Sequence, residues 1–166
     1  ATERILNRIE IANNYKKYGS IEGGGYIWHT TGSGKTMTSF KSAQLIAASK
    51  DADKVIFLMD RVELQTQSIK EYRAFADDAD DVQDTEDTIT LISKLKSKDP
   101  ANTLIVTSIQ KMSNIKEDAH AKSRSRDLET MQSKRIVFIV DECHRSTFGD
   151  MLCTIKKTFP RALFFG

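Results

Sequence analysis

The chain has 166 residues, 39% of them hydrophobic and 29% charged, with eight glycines and two prolines. That length suits one domain of roughly 150 residues, and the composition excludes collagen-like, low-complexity and wholly disordered chains. A net charge of +2 excludes a uniformly basic polyanion binder, so any nucleic-acid site has to be a local patch.

In chain order, Thr2 to Tyr18 has helical spacing, with Ile5, Leu6, Ile9 and Ala12 along one face. Tyr26-Ile27-Trp28 reads as a short strand, and Lys35–Ala48 as a helix whose apolar face is Met37, Phe40, Ala43 and Ala47. Val55 to Met59 is a solid apolar strand, followed by a helical stretch over Val62–Phe75. Asp77 to Asp87 holds seven acidic residues in eleven; without the glycine and spacing of a calcium loop it reads as a solvated connection. Thr85 or Asp87 is placed to cap a short helix running to Leu95. Leu104-Ile105-Val106 is the next strand. Asn114 to Arg135 mixes charges, including Lys116, Lys122, Arg124, Arg126, Lys134 and Arg135, and reads as a solvated loop or helix rather than a phosphate contact.

Ile136 to Val140 is a strand, Ser146–Lys157 a helix, and Ala162 to Phe165 a last strand. Unbroken β-branched and aromatic runs are what strands buried on both faces look like. Strand–helix–strand alternation predicts an α/β doubly wound domain. The chain opens inside a helix and stops directly after a buried run, which is expected of a piece of a longer protein. No apolar run approaches the roughly 18 residues of a membrane helix, and no charged-then-apolar leader opens the chain, so the expected place is the cytosol and no membrane is expected as a partner. There Cys143 and Cys153 stay reduced; with His144 they are one ligand short of the usual zinc set, and Cys143 reads as a small packing residue. Trp28 reads as core or cleft wall, and His120 carries no assigned role.

The sharpest chemical signal is Thr30-Thr31-Gly32-Ser33-Gly34-Lys35-Thr36, between a strand and a helix. Gly32 and Gly34 let the backbone curl so that successive N–H groups, those of Thr31 and Ser33 among them, point at phosphate oxygens. The helix N-terminus adds partial positive charge at the same place. Lys35 reaches for the β- and γ-phosphates of ATP and the Thr36 hydroxyl for Mg²⁺. The usual first glycine of this loop is replaced by His29.

A second signal follows 106 residues later, where the strand ending at Val140 delivers Asp141 and Glu142. Open α/β sheets bind ligands at that edge. Asp141 is the candidate Mg²⁺ carboxylate, and Glu142 the group that orients or deprotonates the attacking water. Polar residues follow the other strands too: Asp60-Arg61 and Thr107-Ser108. Asp60 reads equally well as a helix N-cap.

These stretches resemble the first motor lobe of superfamily 2 helicases and translocases. The segments Gly23 to Thr36 and Val140 to Ser146, with His29, Phe57 to Arg61 and Thr107 to Lys111, are similar to the motor (restriction) subunit of type I restriction–modification enzymes. The resemblance runs across essentially the whole chain. It implies a three-layer RecA-like phosphate-loop domain over residues 1–166, with a mainly parallel sheet and helices on both faces. It implies Mg-ATP as cofactor and double-stranded DNA, methyltransferase and specificity subunits, a second motor lobe and a nuclease domain as partners. Asp60, Arg61, Thr107, Ser108 and Gln110 match positions that help grip a DNA strand, and His144 one that relays nucleotide state. The alternatives are another superfamily 2 DNA or RNA helicase, a non-catalytic scaffold lobe, or a small phosphate-loop kinase, for which Arg-rich lid signals are missing.

Overall fold

In the computed structural model the described residues are 1–27, 34–59, 83–84, 87–121, 125–141 and 148–166. The elements are helix α1 (Thr2–Asn14), α2 (Lys35–Ser49), strand β1 (Lys54–Met59), β2 (Gln83–Asp84) and α3 (Thr88–Lys96). Next come β3 (Leu104–Ser108), α4 (Ile109–Ala121), α5 (Ser125–Gln132), β4 (Ile136–Val140), α6 (Phe148–Thr158) and β5 (Leu163–Phe165). Short 3-10 turns lie at Ile21–Gly23 and Pro100–Asn102.

The five strands among the described residues are all parallel, in the order β2-β3-β1-β4-β5. Central β1 pairs Val55 to Met59 with Leu104 to Ser108 on one side, and Lys54 to Leu58 with Ile136 to Val140 on the other. Because side chains alternate along a strand, Val55, Phe57 and Met59 face one layer while Ile56 and Leu58 face the other. The first layer is closed by Ile5, Ile9 and Ala12 of α1 and by Phe40, Ala43 and Ile46 of α2. The second is closed by Leu91 and Leu95, Met112 and Ile115, Leu128 and Met131, and Ile155. Helices on both faces of a parallel sheet are the architecture expected from the solid apolar runs.

Several expectations need correcting. On α2 the buried stripe is Phe40, Ala43 and Ile46, and Met37 stands 39% exposed. Residues 26–27 do not form a regular strand; Gly25 makes an isolated parallel bridge to Phe165, and Tyr26 is exposed. The acidic connection contains β2, whose backbone pairs with Ile105 and Val106. Asp87 does cap α3, its Oδ1 accepting from the Thr90 N–H at 2.6 Å. The charge-mixed stretch from Asn114 holds the end of α4 and all of α5, with Ile115, Leu128 and Met131 buried; its last two cations are built into the fold. Lys134 Nζ donates to the Lys96 and Ser97 carbonyls at 2.8 and 2.7 Å, capping the end of α3. Arg135 clasps Asp53 through its backbone N–H and its guanidinium. The helix expected over Val62–Phe75, and Trp28, lie outside the described residues.

Candidate nucleotide site

Gly34 is the residue at which the chain enters α2. It has φ +74°, in the left-handed region, and a Cβ placed there would meet nothing within 4 Å among the described residues. Glycine takes that conformation without the steric cost an L side chain incurs. Among the described residues no side chain caps the start of α2, and its first turn holds no acidic residue. The partial positive charge of the first N–H groups of α2 therefore lies at the helix start, beside Lys35.

Lys35 opens α2. Its Nζ lies 3.8 Å from Oδ1 of Asp141, with Lys35 30% and Asp141 3% exposed. Asp141 sits there because β4 ends one residue earlier and its N–H continues the ladder, donating to the Leu58 carbonyl at 3.0 Å. Two residues 106 positions apart in sequence thus meet at the carboxyl edge of the sheet. A left-handed glycine, an uncapped helix start, a lysine and a carboxylate form a donor and acceptor set that suits phosphate oxygens and a hard, oxygen-seeking Mg²⁺.

The segment entering this site lies on the far side of β5. Ile27 N–H donates to the Gly166 carbonyl at 2.6 Å, and Gly25 N–H to the Phe164 carbonyl at 3.0 Å. One strand therefore separates it from β4, a neighbour relation that nothing in the sequence signals.

Thr107 and Ser108 close β3 and are fully buried. Ser108 is level with Met59, on the opposite side of β1 from Asp141. Two inter-strand spacings, about 10 Å, separate the pair of strands. Ser108 Oγ accepts from the Lys111 N–H at 3.3 Å, capping α4. Gln110 is half-buried, and its Oε1 is buried without a partner among the described residues. Thr31, Gly32, Ser33, Asp60, Arg61, Glu142 and His144 lie outside the described residues, as does the side chain of Thr36.

Among the described residues no three His, Cys, Asp or Glu groups gather to hold a metal, and Cys153 is free and exposed; Cys143 lies outside them. No described helix is long and apolar enough to cross a membrane.

The family model for SWI2/SNF2 ATPases matches residues 1–166. A Mycoplasma pneumoniae protein named as the C-terminal part of the type I restriction enzyme MpnIIP endonuclease subunit is 44% identical over 160 residues, covering 96% of this chain and 75% of that protein. The chain belongs to the SWI2/SNF2 ATPase family, among the endonuclease subunits of type I restriction enzymes. The SauMSSORF170P endonuclease subunit of Staphylococcus aureus is 47% identical over 143 residues, 86% of this chain and 14% of the subunit. This chain thus spans about a seventh of that longer relative. A solved structure of a nuclease-deletion mutant of the Type ISP restriction-modification enzyme LlaGI, in complex with a DNA substrate mimic, superposes with a TM-score of 0.56 at 16% identity. It covers 98% of this chain and 17% of that one, and supports the α/β fold.

Proposed function

We propose that residues 1–166 are the first RecA-like lobe of an ATP-driven DNA translocase, part of a type I restriction endonuclease subunit working in the cytoplasm. The observation that carries this reading is the meeting of Lys35 and Asp141 at the carboxyl edge of a parallel sheet, beside an uncapped helix start. Lys35 and the amides around Gly34 would hold the ATP phosphates, with Thr31, Gly32 and Ser33 completing the loop. Thr36 and Asp141 would hold Mg²⁺, which neutralises charge on the phosphates when bound. Glu142 is the proposed group that orients the attacking water. Lys35 has a second role: in this structure it neutralises Asp141, so the buried carboxylate has a cation beside it.

Hydrolysis coupled to movement along duplex DNA needs charge stabilisation from a second lobe, and arginine fingers supply factors of about 10³–10⁵ in comparable enzymes. His144, Asp60, Arg61 and Gln110 are proposed to connect the nucleotide with the DNA. Buried Thr107 and Ser108 would do so by holding the β3–α4 turn rather than by touching DNA themselves. The methyltransferase and specificity subunits of the restriction complex are the proposed protein partners, and a nuclease domain of the longer chain the proposed cutter.

The test is Mg²⁺-dependent binding of a fluorescent ATP analogue to this chain, beside Lys35→Ala. Saturable binding that needs Mg²⁺ and weakens at least tenfold in the variant is expected. Equal binding by both proteins would overturn the role of Lys35.

A further inference from the structure

A large cavity among the described residues lies at the opposite edge of the sheet from the Lys35–Asp141 pair. It is an open cleft of about 840 Å³ where β1, β3 and β4 begin, and Lys50, Lys54, Lys96, Lys98, Lys134 and Arg135 line it. That size falls in the range of small-molecule sites, about 300–1,000 Å³.

The charge in this cleft is unbalanced. Asp53 is committed to Arg135, at 2.9 Å, and Lys96 to Asp127 outside the cleft, at 2.6 Å. Lys50, Lys54, Lys98 and Lys134 form no ion pair among the described residues, and Asp99 is the one lining carboxylate left to face them. Asp99 is itself occupied in part, accepting from the Ala101 N–H at 3.0 Å.

Lys54 is the unusual member, because its side chain is 1% exposed. Its Nζ donates to the Asn102 carbonyl at 2.6 Å, which uses one of three donors. Burial, and then the neighbouring Lys134 charge, push Lys54 down to about 8, which leaves it mainly protonated at neutral pH. Burying an ammonium is costly unless charge compensates it, and Asp99 and Asp53 do so only in part, since burial and Lys134 outweigh them. Lys134 directs two of its donors to the end of α3 and holds a second charge beside it. Gln44, whose buried Oε1 has no partner among the described residues, lines the same cleft.

We propose that this cleft is a second anion site, remote from the nucleotide site, that takes a phosphate-type oxyanion against Lys54, Lys98 and Lys134. Several ammonium groups converging on one volume suit a multiply charged phosphate better than a single carboxylate, since lysine binds phosphate as a point charge. The phosphate belongs either to a free phosphorylated molecule or to a nucleic-acid backbone. The site does not depend on the ATPase reading.

The experiment titrates pyrophosphate into this chain carrying Lys35→Ala, which removes the lysine of the phosphate loop, and reads heat by calorimetry. Saturable binding is expected, weakened at least tenfold by Lys98→Glu and by Lys54→Met. Lys98 is exposed, so Lys98→Glu keeps the test standing if Lys54→Met does not fold. No saturation by about 10 mM in a folded protein, or binding unchanged in Lys98→Glu, overturns the site. A competing short DNA duplex identifies the source: displacement assigns the phosphates to a backbone, and none assigns them to a free molecule.

Discussion

The contact between Lys35 and Asp141 can be weighed by a double-mutant cycle. At about 4 Å, two unit charges attract by about 1 kcal/mol in water and about 4 kcal/mol at an effective dielectric of 20. The observed separation is 3.8 Å, with Asp141 3% exposed but Lys35 30% exposed. Water at the lysine end, and the entropy of holding its long side chain, bring the net coupling to the low end, about 1 kcal/mol. The cycle compares wild type, Lys35→Ala, Asp141→Asn and the double variant by urea denaturation at neutral pH. Coupling near 1 kcal/mol, shrinking in 1 M salt, is expected. Coupling below about 0.3 kcal/mol would contradict a net-favourable contact between the two charges. A value above about 3 kcal/mol would mark a buried structural bridge, and a lysine so tightly held is poorly placed to turn to a ligand.

Two further outcomes follow from the fold. Phe138 is fully buried, stacked on Phe164 at 4.7 Å and tilted against Phe159 at 5.7 Å, so Phe138→Ala should cost about 3–5 kcal/mol in urea denaturation; a loss under about 1 kcal/mol would contradict the packing. Burial alone would raise the pKa of Asp53, but hydrogen bonds and charge from Arg135, with the charge of Lys134, hold it below its ordinary 3.8. A carboxyl lowered in the folded state adds stability above its unfolded pKa and loses it as pH falls through the folded value. The difference in stability between wild type and Asp53→Asn should therefore be present near pH 6 and vanish in acid. Both partners are over 40% exposed, so it should stay below about 1 kcal/mol.

What was legible in the sequence follows from which physical rule was acting. β1, β3 and β4 were readable because a strand covered on both faces has to be apolar throughout. The glycine turn into α2 and the carboxylate at the end of β4 were readable as positions, because glycine before a helix and a charge after a solid apolar run mark where those elements meet loops. β2 was hidden, since a two-residue edge strand is set by backbone pairing with β3 and needs no apolar pattern. The 109–132 helices were obscured by their charged outer faces, although Ile115, Leu128 and Met131 are buried. Lys134 and Arg135 read as solvated charges because their partners, the end of α3 and Asp53, are distant in sequence. The buried Lys54 had no sequence signal at all, as a lysine before an apolar run is ordinarily exposed.

Under the proposed function, this chain supplies the ATP-hydrolysing half-site of a DNA motor. The most direct measurement is ATP hydrolysis by the full endonuclease subunit, with and without duplex DNA, in wild type and Glu142→Gln. Turnover stimulated by duplex DNA more than by RNA is expected, with a variant that still binds ATP but does not hydrolyse it. Normal turnover in Glu142→Gln, or turnover indifferent to duplex DNA, would contradict it.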